Sequence, residues 1–119
     1  MSQFNFIESE KRPWGSFYVV HDEKEYKIKR IEVLPGKRLS YQFHNKRSES
    51  WTIIKGSALI TIDHNDYRLT EGDSIKINVK SKHRIENIGV SDLIFIEVQT
   101  GTYFGEDDII RIEDDFKRV

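Results

Sequence analysis

Gln42, His44, Glu49 and His83 are the residues of this 119-residue chain whose types and spacing could do chemistry. In Tyr41-Gln42-Phe43-His44 the two polar side chains are two residues apart, which on a strand places them on one face. Glu49 follows a short polar loop, Asn45-Lys46-Arg47-Ser48, and opens the apolar run Trp51-Thr52-Ile53-Ile54. A hairpin of this kind would gather Gln42, His44 and Glu49 at one end of a sheet. His83 heads a later strand, His83-Arg84-Ile85-Glu86-Asn87, and could close the site from across a barrel. One amide oxygen, two imidazoles and one carboxylate suit a borderline divalent cation with positions left open for substrate. Zinc is the first choice; cobalt, manganese, nickel and iron suit the same ligands. The competing reading makes Gln42 and His44 ordinary strand polars and His83 a surface turn residue. With 4 histidines and 20 acidic residues in the chain, spacing alone does not decide between them.

The elements that must position these residues are short and numerous. Apolar or alternating runs fall at 17–20, 27–34, 39–44, 51–54, 58–62, 67–69, 74–77, 83–88 and 93–99. Turn signals separate them: Pro35-Gly36, Lys55-Gly56, Asp63-His64-Asn65-Asp66, Glu71-Gly72-Asp73 and Gly89-Val90-Ser91-Asp92. Many short strands so punctuated predict an all-β sandwich or barrel in one domain, 1–119. The one helical hint is Glu106-Asp107-Asp108-Ile109-Ile110, where acids at a helix start would suit its dipole. Phe4, Phe6 and Ile7 form an alternating apolar start that could extend a neighbour's sheet or pair within its own chain.

Composition narrows the classes of function. A net charge of −1 gives no pull toward nucleic acid or anionic membrane. No window approaches the ~20 apolar residues of a membrane span, and Met1-Ser2-Gln3 does not read as a signal peptide. Without cysteine there is neither a disulfide framework nor thiolate chemistry. A soluble cytoplasmic protein is the expectation.

Pro35-Gly36 followed by Gln42-x-His44-x4-Glu49-x6-Gly56 resembles the first cupin motif, with glutamine at its first histidine position. Gly72-x5-Asn78-x4-His83-x3-Asn87 is similar to the second. Arg12-Pro13-Trp14-Gly15, Tyr26-Lys27-Ile28-Lys29-Arg30-Ile31, His44-x-x-Arg47-x-Glu49-x-Trp51, His83-Arg84-x-Glu86-Asn87 and Gly105-Glu106-Asp107-Asp108-Ile109-x-Arg111 narrow the resemblance to the type II mannose-6-phosphate isomerase domain. In many bacteria that domain stands behind a mannose-1-phosphate guanylyltransferase domain. Such a domain is not seen here, so guanylyl transfer is not expected. Asn45, Lys46 and Ser50 depart from the family's histidine-rich run, and Asn78 and Lys80 from its Pro-x-Gly before the second-motif histidine. A lysine there resists the backbone angles that glycine permits. No metal ligand is lost by these changes; substrate identity and rate are what they put at stake.

The resemblance implies a small cupin barrel, the double-stranded β-helix or jelly roll. Its chemistry would interconvert mannose 6-phosphate and fructose 6-phosphate at a divalent metal held by Gln42, His44, Glu49 and His83. Arg47, between two ligands, would stabilise the negative charge of the enediolate. Glu97 shares a face with Leu93, Phe95 and Gln99; burial there would raise its proton affinity and let it shuttle a proton. Pairing with a lysine or arginine in the barrel mouth is its alternative role. Lys29, on a face with Ile31 and Val33, must meet a charge or snorkel; with Arg12 and Arg111 it is a candidate for the phosphate. Arg111 could instead pair with Asp107 or Glu113. His21 and His64 read as solvated surface, and Trp14 and Trp51 as core or interface. A homodimer is implied. Two other functions stay open: a cupin isomerase or epimerase for another phosphorylated or nucleotide-linked sugar, and a non-catalytic sugar-binding module.

Overall fold

Eleven strands and no helix make up the described residues, 4–118, of the computed structural model. One sheet takes six of them in the spatial order β1 (Glu8–Arg12), β2 (Gly15–Asp22), β3 (Tyr26–Val33), β10 (Leu93–Gly101), β5 (Arg47–Lys55) and β8 (Ser74–Ile77). The other takes five, β11 (Ile110–Glu113), β4 (Tyr41–Phe43), β9 (His83–Asn87), β6 (Ala58–Ile62) and β7 (Asn65–Leu69). All recorded pairings are antiparallel, and consecutive strands often lie in opposite sheets, as expected of a jelly roll.

The three central strands of the larger sheet explain where the site must be. Inward residues alternate along each, apolar at one end and polar at the other. On β3 they run Lys27, Lys29, Ile31, Val33; on β10, Leu93, Phe95, Glu97, Gln99; on β5, Arg47, Glu49, Trp51, Ile53. Register aligns like with like. Ile31, Phe95 and Ile53 form one cross-strand row, Lys29, Glu97 and Trp51 the next, and Lys27, Gln99 and Glu49 the third. Directly opposed side chains share a face and touch, so the interior is dry at one end and charged at the other. The dry end joins Val33, Ile53, Ile60, Ile85, Leu93 and Phe95 in one core. Truncating Phe95, which is wholly buried, to alanine would cost about 3–5 kcal/mol.

Three sequence expectations need correction. The hint of a helix at 106–110 is a turn leading into β11, because the acids there bond to other parts of the fold instead of capping a helix. The supposed hairpin from Gln42 to Glu49 does not exist: β4 and β5 belong to different sheets, so Gln42 and Glu49 approach from opposite walls. Arg47, read as part of the polar loop 45–48, instead begins β5 and is buried. The apolar start pairs within its own chain; the Ile7 N–H donates to the Val19 carbonyl at 2.7 Å, and Phe4 and Phe6 meet the Tyr18 ring edge to face. Lys80 does adopt a left-handed backbone, φ 67°, and its N–H donates to the His44 carbonyl at 2.8 Å. The turn before His83 is therefore kept, at some strain, without glycine.

Candidate functional site

His44, Glu49 and His83 converge at the polar end of the interior. One ligand atom from each lies within 4.8 Å of the others, and all three side chains are buried. His44 follows β4, Glu49 stands on β5, and His83 begins β9 beside β4. Backbone carbonyls fix both imidazoles. His44 Nδ1 lies 2.7 Å from the Asp108 carbonyl and His83 Nδ1 2.8 Å from that of Ser81. A carbonyl can only accept, so each Nδ1 carries the hydrogen and each Nε2 presents a lone pair. His44 Nε2 is 3.3 Å from Glu49 Oε2 and His83 Nε2 is 3.9 Å from Glu49 Oε1.

Burial above all lowers the proton affinity of both rings; Arg47 and His83 add to the effect at His44, whose pKa falls to about 4. Two neutral imidazoles whose Nε2 atoms face a carboxylate make a cluster of acceptors with too few donors, Arg47 alone reaching His44 Nε2. His83 Nε2 is buried and has no hydrogen-bond partner. The donor set therefore fits a divalent metal on the evidence of its own unsatisfied atom. Gln42 is registered opposite His83, and its Oε1 accepts from Ser40 Oγ at 2.6 Å.

Around this cluster the charges are tightly linked. Arg47 Nε donates to Glu49 Oε2 at 2.9 Å, and its Nη2 stands 3.4 Å from His44 Nε2. Burial disfavours its charge, but Glu49, Glu97 and Glu106 outweigh that and strengthen its hold on the proton. Glu97 is buried beside Glu49, and the two carboxylates share one donor: Trp51 Nε1 lies 3.0 Å from an oxygen of each. Gln99 Nε2 donates to the other Glu97 oxygen at 2.6 Å. Burial, and next the neighbouring Glu49, raise the Glu97 carboxyl to about 7. Lys29 meets its charge in Glu106, 2.7 Å away, and lies over the Phe17 ring at 4.3 Å.

Part of this network opens into a cavity of about 80 Å³. Arg47, Glu49, Glu97, Gln42 and Lys29 face it, and so do Arg12 and Arg111. Arg12 pairs with exposed Glu10 at 3.3 Å; Arg111 takes neither Asp107 nor Glu113 as an ion-pair partner. His21 and His64 lie outside, exposed, as expected.

Several contributors escaped the sequence reading. Trp51, read as core or interface, joins the two carboxylates. Asp108 holds His44 through its carbonyl, while its carboxylate accepts the N–H groups of Asn45 and Lys46 at 3.0 and 2.9 Å. Glu106 anchors Lys29. The acidic run Glu106-Asp107-Asp108 was the available signal, misassigned to a helix start.

A barrel of two antiparallel sheets with a histidine–carboxylate cluster at its polar end defines a cupin. The same fold is seen in the capsular polysaccharide assembling protein CapF of Staphylococcus aureus, with a TM-score of 0.80 and 19% identity over 93% of this chain and 35% of that one. A Klebsiella pneumoniae protein with a double-stranded β-helix domain superposes with a TM-score of 0.71, at 22% identity over 81% of this chain and 77% of that one. The chain belongs to the family described as mannose-6-phosphate isomerase C-terminal, whose profile matches residues 2–114. It is 47% identical over 107 residues to the alginate biosynthesis protein AlgA of Pseudomonas syringae, covering 90% of this chain and 22% of AlgA. It thus spans about a fifth of the length of such curated relatives. No helix among the described residues is long and apolar enough to cross a membrane.

Proposed function

We propose that this cupin domain is a metal-dependent aldose–ketose isomerase of sugar phosphates, interconverting mannose 6-phosphate and fructose 6-phosphate. The observation that carries the reading is an acceptor-rich triad, His44, Glu49 and His83, whose Glu49 lines one cavity together with Glu97, a buried carboxyl poised near neutrality. Family membership supplies the substrate class.

His44, Glu49 and His83 would hold the metal, with Gln42, on the same sheet as the two histidines, as a fourth ligand and zinc as its first candidate. When bound, the metal would supply Lewis acidity to the reacting sugar. The chain's own groups do the rest. Glu97 takes the proton from C2 of the open aldose and returns it at C1, while the hydroxyl proton passes from O2 to O1. A carboxyl with a pKa of about 7 can do both near neutral pH. Arg47 faces the oxygen that becomes negative, held rigid by Glu49 and by the Gly105 carbonyl. Lys29, neutralised by Glu106, steadies that wall. Arg12, paired only with exposed Glu10, and Arg111, with no ion pair among the described residues, are the cations for the ester phosphate. The protein is taken to act in the cytoplasm as a homodimer, which light scattering on the purified chain would check.

The test is a coupled assay for fructose 6-phosphate formed from mannose 6-phosphate. Chelator-stripped protein is measured before and after addition of zinc, cobalt or manganese, with His83→Ala alongside. Turnover restored by metal and lost in the variant is expected. A folded, metal-binding protein with no turnover on any of them would refute the substrate assignment.

A further inference from the structure

Trp51 does not line the cavity, yet it holds two carboxylates that do, Glu49 and Glu97. Its indole nitrogen carries one hydrogen and can only donate. Two acceptors claim that hydrogen: Glu49 Oε1 and Glu97 Oε1 each lie 3.0 Å from Nε1. A hydrogen bond weakens steeply as it bends, so one hydrogen cannot serve two oxygens fully. The bond as it stands is divided.

Strand geometry imposes the division. Glu49 precedes Trp51 by two residues on β5, which puts both on the inward face, and Glu97 on β10 is registered directly opposite Trp51. The ring cannot choose between them by moving. It is buried, with its centroid 5.2 Å from that of Phe95 and 5.5 Å from that of His83, which it meets edge to face.

The other contacts of the two carboxylates are unequal. Glu49 Oε2 accepts from Arg47 Nε at 2.9 Å, while Oε1, the oxygen on Trp51, is also the one 3.9 Å from the unpartnered His83 Nε2. A cation that draws on this oxygen makes it a weaker acceptor, and its positive charge repels the indole hydrogen. Glu97 has Gln99 Nε2 at its Oε2, 2.6 Å away, and its cross-strand neighbour Lys29 is turned to Glu106. Trp51 is what fixes Glu97 Oε1.

We propose that Trp51 is a positioning residue that ties Glu97 to the occupancy of the triad. A divalent cation on Glu49 leaves the indole N–H to Glu97 alone, and that single bond sets the carboxyl for proton transfer. The second half rests on the isomerase reading above; the first does not. A bond to one charged acceptor is shorter and stronger than a share of a divided one. Misplacing a reacting group by about 1 Å costs on the order of a hundredfold in rate, so the effect falls on kcat and not on substrate binding.

Heteronuclear NMR of the isotopically labelled full chain reads the division directly, because 2 tryptophans give one indole N–H signal each. The Trp51 signal is the one lost in Trp51→Phe and kept in Trp14→Phe. Titrating chelator-stripped protein with zinc should move it downfield by several times the shift of Trp14. In Glu97→Gln, whose neutral side chain is a poorer acceptor, that movement should fall by about half or more. A movement of equal size in the variant would report only the nearby charge, and no movement would mean that the hydrogen is not shared; either overturns the proposal. In the metal-loaded assay Trp51→Phe should lower kcat about tenfold or more, with KM and zinc affinity within about twofold of wild type. Thermal unfolding establishes that the variant is folded; should it not fold, the Glu97→Gln comparison decides alone. A kcat close to wild type, or one lost only in step with zinc binding, would overturn the positioning role. The two readings fail separately. The indole movement in a wild type that turns over no mannose 6-phosphate would sink the isomerase and leave the link from Glu49 to Glu97; turnover without the movement would do the reverse.

Discussion

Replacing Glu97 by glutamine should make the metal-free protein more stable near pH 8 while abolishing turnover. Burial and the adjacent Glu49 raise the Glu97 carboxyl from 4.5 to about 7 in the folded chain. Between those values the folded protein holds a proton that the unfolded one releases. The stability from this group is fully present below 4.5 and is lost as pH rises through 7. At ~1.4 kcal/mol per pKa unit the loss amounts to about 3 kcal/mol. His44 acts in the opposite sense. Its pKa is lowered from 6.5 to about 4, so its contribution is present above 6.5 and is lost as pH falls through 4. The two opposing slopes overlap, and a wild-type pH profile alone would hide both. Subtracting the Glu97→Gln profile cancels most of the histidine contribution, which Glu97 influences only as a lesser cause, and leaves chiefly Glu97. Glutamine keeps an acceptor for Trp51 Nε1, and Gln99 can turn its amide to offer its unpartnered Oε1 to the new NH2. The two proteins should therefore agree within about 1 kcal/mol near pH 4.5. Near pH 8 the variant should be ahead by about 3 kcal/mol. Urea unfolding in chelator at several pH values measures the difference directly. A difference that does not change with pH, or a wild type that is the more stable near pH 8, would refute the account of a buried carboxyl strained by its neighbour.

Three further outcomes can be checked with similar means. Adding zinc or cobalt to stripped protein should raise its melting temperature with metal concentration, as ligand linkage requires, and His83→Ala should remove most of that rise. Asp108→Ala removes the acceptor for two backbone N–H groups beside His44, and should cost about 2–4 kcal/mol in unfolding and weaken metal binding in a competition titration. Gly101→Ala would place a Cβ 2.3 Å from the Lys46 carbonyl oxygen and 2.8 Å from Arg47 Cα, at φ 148°. It should displace the start of β5, lowering the melting temperature and raising KM more than an alanine at exposed Gly36, where nothing stands within 4 Å.

The sheet architecture was legible because alternation along short strands leaves few alternatives, and β6 and β8 fall where the apolar runs place them. Glu97 was legible for the same reason: a glutamate two residues from Phe95 on a strand apolar on both faces must be buried. What escaped was non-local. Nothing in the local pattern of Trp51 tells that its N–H will lie between carboxylates from two strands. β1 is polar throughout and exposed from Glu8 to Lys11, so it has no apolar signature at all. The acids at 106–108 carry a helix-start pattern, but tertiary partners won: Lys29 for Glu106 and the 45–46 backbone for Asp108. Arg118, which also lines the cavity, was missed because its place there depends on a turn in which the Asp114 carboxylate accepts its N–H.

The tryptophans give the cavity a voice of its own. The chain has 2, and both belong to this region: Trp14 in the lining, Trp51 with its indole N–H shared between Glu49 and Glu97. Indole emission responds to charge beside the ring, and here the charge is that of the two carboxylates. Excitation selective for tryptophan therefore reads the site with no contribution from elsewhere in the fold. Ionisation of Glu97, arrival of a cation at Glu49 and entry of a sugar past Trp14 should each change the spectrum in its own way. The protein is its own optical probe, with no label to attach.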